Sequence, residues 1–289
     1  MARARTRDVR QAAPPGRLLV CATPIGNLGD VTLRVLEALR EADVIEAEDT
    51  RVTRKLLARY EIPTPLEPYH ANNLERRTPE IVGRIAGGAT VALVSDAGTP
   101  GVSDPGAKLV ESCLEAGVAV EVLPGPSAIV TALVASGLPT HAFYFGGFLP
   151  RKAGERARRL ERLRDLDATL VFYESPGRTA ATVVALAHAF PGREGAMARE
   201  LTKIHEEVAR CGLEQLAEQL AGRELKGEVV LLVGPPARAR RAEVDAEALA
   251  KRVSALVASG VSRRDAVRAV AAETGIPRND VYQSSLSEK

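Results

Sequence analysis

The chain has 289 residues, 45% of them hydrophobic, which is ample material for two domains with buried cores. Aromatic residues make up only 3% and Trp is missing, so those cores must rest on Ala, Val and Leu. The formal charge is +2, and the three cysteines (Cys21, Cys113 and Cys211) lie too far apart for a disulfide framework or a zinc spacing.

In chain order, residues 1–16 are rich in Arg and Ala, end in Pro14-Pro15-Gly16, and are expected to form a disordered basic lead-in. Strands and helices then alternate. A strand over 17–22, a turn at 23–27 and a helix over 31–41 are followed by a strand at 44–48 and a helix near 52–60. A short strand at 65–70 and a helix over 74–86 come next. The strand at 90–95 opens into a loop of small, turn-forming residues, 95–106 (SDAGTPGVSDPG). Gly98, Gly101 and Gly106 are expected to allow backbone turns and close ligand approach. Asp104 is the expected N-cap and Pro105 the first residue of a helix over 107–116. A strand at 118–123 leads through Pro124-Gly125-Pro126 to a helix capped by Ser127. Short connections in this alternation predict a parallel sheet flanked by helices over 17–138.

A second α/β unit is expected over 139–236. It begins with an aromatic strand at 143–148 and a basic helix at 151–164. Strands at 169–173, 196–200, 207–210 and 228–233 and helices at 178–189 and 213–220 complete it. Residues 237–289 read as a separate helical appendage with helices at 244–259, 263–274 and 279–286. Ser262 caps the second helix and Gly275 stops it, a pattern similar to a helix-turn-helix. Packing, dimerisation and RNA contact all suit this module.

No G-x-G-x-x-G, Walker lysine motif, G-x-S-x-G elbow or His/Cys metal cluster is present, which removes the main support for hydride-transfer, kinase and hydrolase chemistry. His70, His141, His188 and His205 are scattered and expected to be structural or exposed. Polar and glycine-rich segments instead gather just after strands, at 23–27, 48–51, 69–73, 95–106, 124–128, 173–178 and 199–206. If the strands are parallel, these loops share one rim and line one cleft, which suits a zwitterionic, nucleoside-like ligand. Taken singly, each loop is also ordinary turn chemistry. Basic residues cluster as well: five arginines face one acid in residues 1–17, and seven basic residues face two acids in 151–164. Such clusters fit either a polyanionic partner or solvated helix faces. The N-terminal segment has no signal-peptide core and no apolar run approaches a membrane span, so a cytoplasmic location is expected.

Eight segments in order, 23–28 (TPIGNL), 48–51 (EDTR), 95–100 (SDAGTP), 103–106 (SDPG), 124–128 (PGPSA), 147–150 (GFLP), 172–176 (FYESP) and 199–203 (RELTK), resemble the small-subunit ribosomal RNA methyltransferase I family. That family lies within the tetrapyrrole methylase superfamily. The resemblance implies a two-domain tetrapyrrole-methylase-like α/β fold with parallel and mixed sheets, and a C-terminal helix-turn-helix-like module. It implies S-adenosylmethionine as methyl donor and a homodimer. The expected substrate is the ribose 2′-hydroxyl of a cytidine in 16S rRNA of the small ribosomal subunit, near the decoding centre. By motif it places the donor against Pro24, Asp96, Ala97, Gly98, Val102, Ser127, Ala128, Tyr173, Glu174 and the backbone near Leu201. Tetrapyrrole relatives usually carry Gly-Asp-Pro in the glycine loop, where this chain has Asp96-Ala97-Gly98-Thr99-Pro100.

In-line methyl transfer relies mainly on holding the reactants aligned, helped by a base or an anion-stabilising donor. Asp49, Arg51 and His70 are the candidates because each follows a strand at the inferred rim. An ion pair or helix cap (Asp49 with Arg51) and a turn residue (His70) are the alternative roles. Arg151, Lys152, Arg156, Arg158 and Arg159 are the expected phosphate contacts. Phe143, Tyr144, Phe145 and Phe148 are either a local stacking platform or, as the favoured reading, second-domain core. Two other functions fit the same pocket: a tetrapyrrole C-methyltransferase, and a non-catalytic RNA-binding or assembly protein.

Overall fold

The computed structural model describes residues 16–236, 246–274, 276 and 278–285. The first fifteen residues of the expected lead-in and the start of the helix expected at 244 lie outside them. The chain divides into two units between Pro235 and Pro236.

The first unit opens with β1 (Arg17–Cys21), α1 (Leu33–Glu41), β2 (Val44–Ala47), α2 (Thr50–Arg59) and β3 (Leu66–Pro68). It continues through α3 (Leu74–Ala86), β4 (Thr90–Val94), α4 (Gly106–Glu115) and β5 (Ala119–Leu123). These strands form an all-parallel sheet in the order β3-β2-β4-β1-β5. The continuous apolar runs of β1 and β4 suit strands buried on both faces. Leu19, Cys21, Ile45 and Ala92 pack under α1 and α2, while Leu18, Val20, Val91 and Leu93 pack with Ile81, Ile85 and Leu109 of α3 and α4. Because the five strands are parallel, the loops that follow them leave from the same edge.

After β5 come α5 (Ala128–Ser136), β6 (Phe143–Phe148), α6 (Ala153–Glu161), β7 (Thr169–Glu174) and α7 (Thr179–Ala189). β8 (Glu194–Arg199), β9 (Glu207–Gly212), α8 (Leu213–Leu220) and β10 (Val229–Val233) complete the unit. The second sheet is mixed, in the order β6-β7-β10-β8-β9, with only β6 and β7 parallel. β7 and β8 both run antiparallel to β10, so their C-terminal ends lie beside the start of β10. α5 packs on this second sheet, where Ala132 and Leu133 meet Val171, Ala196 and Leu232.

Three local details differ from the sequence reading. α4 has Pro105, not Asp104, at its N-cap. Asp104 still caps from one residue earlier, accepting the Gly106 N–H and the Gly101 N–H at 2.7 Å each. α6 is shorter than expected, because Arg162–Arg164 turn away from the helix toward Leu166. The aromatics of β6 divide: Tyr144 and Phe145 are partly buried and pack against the second-sheet core, whereas Phe143 and Phe148 are about half exposed, at 46% and 53%.

The second unit contains α9 (Ala246–Ala258), α10 (Arg263–Thr274) and α11 (Arg278–Ser284). Leu249, Val253, Val267, Val270 and Val281 form its core, and the Ser262 hydroxyl accepts the Asp265 N–H at 3.1 Å as an N-cap. Among the described residues, no helix is long and apolar enough to cross a membrane, and no three or more His, Cys, Asp or Glu side chains are grouped to hold a metal ion.

Candidate active site

The strand-exit loops of the first sheet and the β7, β8 and β10 ends of the second enclose a cavity of about 510 Å³. That volume lies within the range of pockets that take cofactor-sized ligands. Its first-sheet wall is Ile25, Glu48, the 95–99 segment and Val102–Asp104. The opposite wall is the start of α5 (Ser127, Ala128, Ile129), Phe148, residues 173–176, Ala198, Leu201 and residues 227–230.

The glycine loop holds itself in shape. Thr23 and Gly98 exchange both main-chain hydrogen bonds, at 2.9 and 3.0 Å, which uses the polar groups of Gly98 within the protein. Gly98 sits at φ 78°, a conformation that favours glycine. Gly106 has another reason to lack a side chain, because a Cβ there would come within 2.9 Å of the Gly101 nitrogen and the Asp104 carboxylate. Of the two roles expected for these glycines, the backbone turns are seen in the positive φ of Gly98 and Gly101, and Gly98 also lines the cavity.

Nine of the ten expected donor contacts line this cavity: Asp96, Ala97, Gly98, Val102, Ser127, Ala128, Tyr173, Glu174 and Leu201. Pro24 does not, and its neighbour Ile25 does. The Glu174 carboxylate is committed elsewhere: it accepts from the Ser175 N–H at 2.8 Å and the Thr182 hydroxyl at 2.7 Å, and pairs with Arg178 at 3.3 Å. Tyr173 stacks edge-on against Phe145 at 5.0 Å and lies 5.6 Å from the Phe148 ring, so the β6 aromatics brace the cavity wall.

The three expected catalytic residues do not line the cavity. Asp49 caps α2, accepting the Arg51 N–H at 2.8 Å, and its other contacts go to the Arg51 guanidinium at 2.6 to 3.2 Å. Those bonds hold its carboxyl down to about 2, which makes it a weak base. Arg51 is thereby an ion-pair partner with an exposed side chain. His70 follows β3, which β2 separates from β4 and its loop. Its N–H donates to Asn73 Oδ1 at 2.9 Å in a local turn.

Two acids that the sequence reading passed over face the cavity instead. Glu48 is half-buried beside Asp96, and burial followed by the Asp96 charge pushes its carboxyl up. Burial likewise raises Asp96, against the pull of the Asp49 N–H that donates to it. Glu228, just before β10, pairs with Lys203 at 3.1 Å, and Lys203 also meets Glu200 at 2.7 Å. The signal for Glu48 was its place as the first residue beyond an apolar strand; the signal for Glu228 required knowing that β10 runs backwards.

Of the expected phosphate contacts, Arg159 is occupied, donating to the Gly146 carbonyl at 2.5 Å and the Phe148 carbonyl at 3.3 Å. Lys152 pairs with Glu155 at 3.3 Å. Arg151 and Arg158 are exposed and Arg156 is partly so. Of the four histidines, His141, His188 and His205 are exposed.

Residues 17–217 match the family model described as Tetrapyrrole (Corrin/Porphyrin) Methylases, and residues 242–289 match the one described as RsmI C-terminal HTH domain. The ribosomal RNA small subunit methyltransferase I of Halalkalibacterium halodurans is 43% identical over 279 residues, 96% of each chain. The protein of that name from Mesorhizobium japonicum is 44% identical over 274 residues, covering 94% of this chain and 92% of its own. Among solved structures, the methyltransferase CobJ superposes with a TM-score of 0.60 at 26% identity, covering 77% of this chain and 95% of its own. Uroporphyrin-III C-methyl transferase from Thermus thermophilus, complexed with S-adenyl homocysteine, gives 0.54 at 24% identity, covering 77% and 99%.

Proposed function

The chain belongs to the tetrapyrrole methylase family and, within it, to the ribosomal RNA small subunit methyltransferase I group, and on that premise we propose that it methylates the ribose 2′-hydroxyl of a cytidine in 16S rRNA near the decoding centre, using S-adenosylmethionine. The observation that carries this reading is the extent of the likeness. An rRNA methyltransferase relative aligns with 96% of the chain, C-terminal helices included, whereas the tetrapyrrole enzymes cover 77%. A tetrapyrrole C-methyltransferase leaves that last module without a purpose.

The residues of the cavity suit the donor. Glu48 and Asp96 favour a positive centre, Ile25, Val102, Leu201 and Tyr173 offer apolar surface, and the start of α5 presents the Ala128 and Ile129 N–H groups to a carboxylate. A protein captured in complex with S-adenyl homocysteine shares this fold. When bound, the donor supplies an electrophilic methyl on a sulfonium. The protein's task is then to align the hydroxyl, keep water out and take up one proton. Within this reading, the Glu48 carboxylate is the acceptor for the 2′-hydroxyl proton. Its raised affinity for protons suits it better than Asp49, whose oxygens Arg51 holds. Asp49 then orders the α2 entrance, and Arg51 steers the substrate as an exposed cation. His70, in its turn beyond β3, serves that loop. Arg156 and Arg158 on α6, with Arg151 just before it, remain the phosphate contacts.

A homodimer in the cytoplasm belongs to the same proposal. Val130 and Val134 stand one turn apart on α5 with 52% and 68% of their surface exposed, and Val122 on the edge strand β5 is 55% exposed. Such an apolar face suits a second copy. Incubation with labelled S-adenosylmethionine and small ribosomal subunits lacking the modification, with uroporphyrinogen in parallel, tests the function. Label in rRNA alone is expected, and label in the tetrapyrrole alone would overturn it.

A further inference from the structure

α2 carries Arg51, Arg54, Lys55 and Arg59 and no acid, whereas α1, α3 and α6 mix acids with bases. At 100° per residue these four cations fall on one exposed stripe, opposite the buried Thr53, Leu56 and Leu57. Arg54 and Lys55 make no ion pair among the described residues, so their charges are not internally neutralised. Arg59 lies over the Tyr60 ring at 5.4 Å, which leaves its charge on the surface.

The stripe also starts at the cavity. β2 ends, Glu48 enters the cavity wall, Asp49 ties to Asp96 by its N–H at 2.9 Å, and α2 begins at the next residue. One chain segment therefore sets an acidic cavity directly against a basic helix. Glu48, Asp96, Asp104 and Glu228 inside the cavity repel phosphates and the stripe outside attracts them. From Arg51 to Arg59 the stripe extends about 12 Å, enough for several consecutive phosphates of one strand.

We propose that the exposed face of α2, through Arg54, Lys55 and Arg59, is a docking surface for the phosphate backbone of the RNA substrate, holding the strand at the cavity mouth while one ribose turns inward. This rests on the rRNA reading above and adds a surface that the sequence analysis did not single out. The cations act by charge and position the strand without reading its sequence.

The test uses the full chain and small ribosomal subunits lacking the modification, with binding measured across a salt series and methyl transfer measured in parallel. In Arg54→Gln/Lys55→Gln, the KM for subunits is expected to rise at least tenfold. The slope of log affinity against log salt should shrink by about 1.4 to 1.8, the contribution of two phosphate contacts. S-adenosylmethionine binding, measured calorimetrically, reports that the variant is folded. The charge-conserving Arg54→Lys/Lys55→Arg pair should keep the wild-type slope, and Lys108→Gln on α4 should leave it unchanged. An unaltered slope and KM in the Gln pair overturns the inference. So does equal loss in the charge-conserving pair, or an equal effect per charge from Lys108→Gln. Wild-type protein that binds donor but labels no rRNA would overturn the function and this surface together; labelled rRNA with an unchanged slope removes only the surface.

Discussion

The Asp96 carboxylate accepts the main-chain N–H of Asp49 at 2.9 Å. This bond links the exits of β2 and β4, neighbours in the sheet, and fixes the first residue before α2 against the glycine loop. Asp96 therefore has two separable tasks, one met by a neutral acceptor and one by its charge. Asp96→Asn should keep the melting temperature within about 1 °C and weaken S-adenosylmethionine binding. Asp96→Ala should lower both, with a stability loss of about 0.5–1.5 kcal/mol for the missing acceptor. Calorimetry and thermal unfolding on the two variants separate the tasks; equal donor affinity in wild type and Asp96→Asn would show that the charge has no role.

Glu48 gives a pH-dependent prediction. Burial, then Asp96, raises its folded-state affinity for protons above the ordinary carboxyl value of 4.5. Below that value both folded and unfolded chains hold the proton and Glu48 contributes nothing. As pH rises through the raised value, ionisation costs the folded state, and the cost persists at neutral pH. Glu48→Gln should therefore melt higher than wild type at pH 8, with the difference vanishing below pH 4.5, while methyl transfer falls by about 10²-fold or more. A variant that is equally active, or that melts lower at pH 8, contradicts the proton-acceptor role.

Away from the cavity, Glu46 is fully buried in the first sheet and pairs with Arg77 at 2.6 Å. Arg77 also contacts Glu67 closely and meets Glu80 at 3.1 Å. Burial pushes the Glu46 carboxyl up and Arg77 pulls it back. Arg77→Met would strand that charge and should cost about 3–5 kcal/mol, whereas Glu46→Gln/Arg77→Met should cost much less. Urea unfolding of both variants decides; similar losses would mean that the pair is not coupled.

Gly26 packs where a side chain has no room. A Cβ there would come within 2.6 Å of Lys203 Cγ and 2.8 Å of the Leu201 carbonyl. The loop after β8 also receives the Asn27 N–H on Thr202 Oγ1 at 3.1 Å. Gly26→Ala should push this loop away, moving Ile25 and Leu201 apart, and donor affinity should drop about tenfold or more. Unchanged affinity would show that the two loops are not a rigid wall.

Much of this was legible in the sequence because β1, β2, β4 and β5 of the first sheet are short, mostly apolar runs followed closely by Pro or Asp. The all-parallel order sends every loop after such a run to one edge. Residues 96–98, 102, 127 and 128 reach the cavity for that reason, whereas Tyr173 and Leu201 come from the β7 and β8 ends of the mixed sheet. What failed was anything depending on strand order or direction. His70 follows a strand as Asp96 does, but β3 is the edge strand and its exit lies to one side. Glu228 precedes its strand, and only the antiparallel β10 brings it to the rim. Side-chain competition was equally hidden. Asp49 and Arg51 satisfy each other two residues apart, and the partners of Arg159 are carbonyls of a β-strand eleven or more residues away. A spacing shows which residues can meet, but not which partner wins.

The most direct test of the central claim is to incubate the protein with S-adenosylmethionine and unmodified small subunits, digest the rRNA, and identify the altered nucleoside by mass spectrometry. The account predicts a single 2′-O-methylcytidine, with the methyl on the ribose fragment, and its loss in Glu48→Gln. A methyl on a base, or modification of a uroporphyrinogen control with the rRNA untouched, would contradict it.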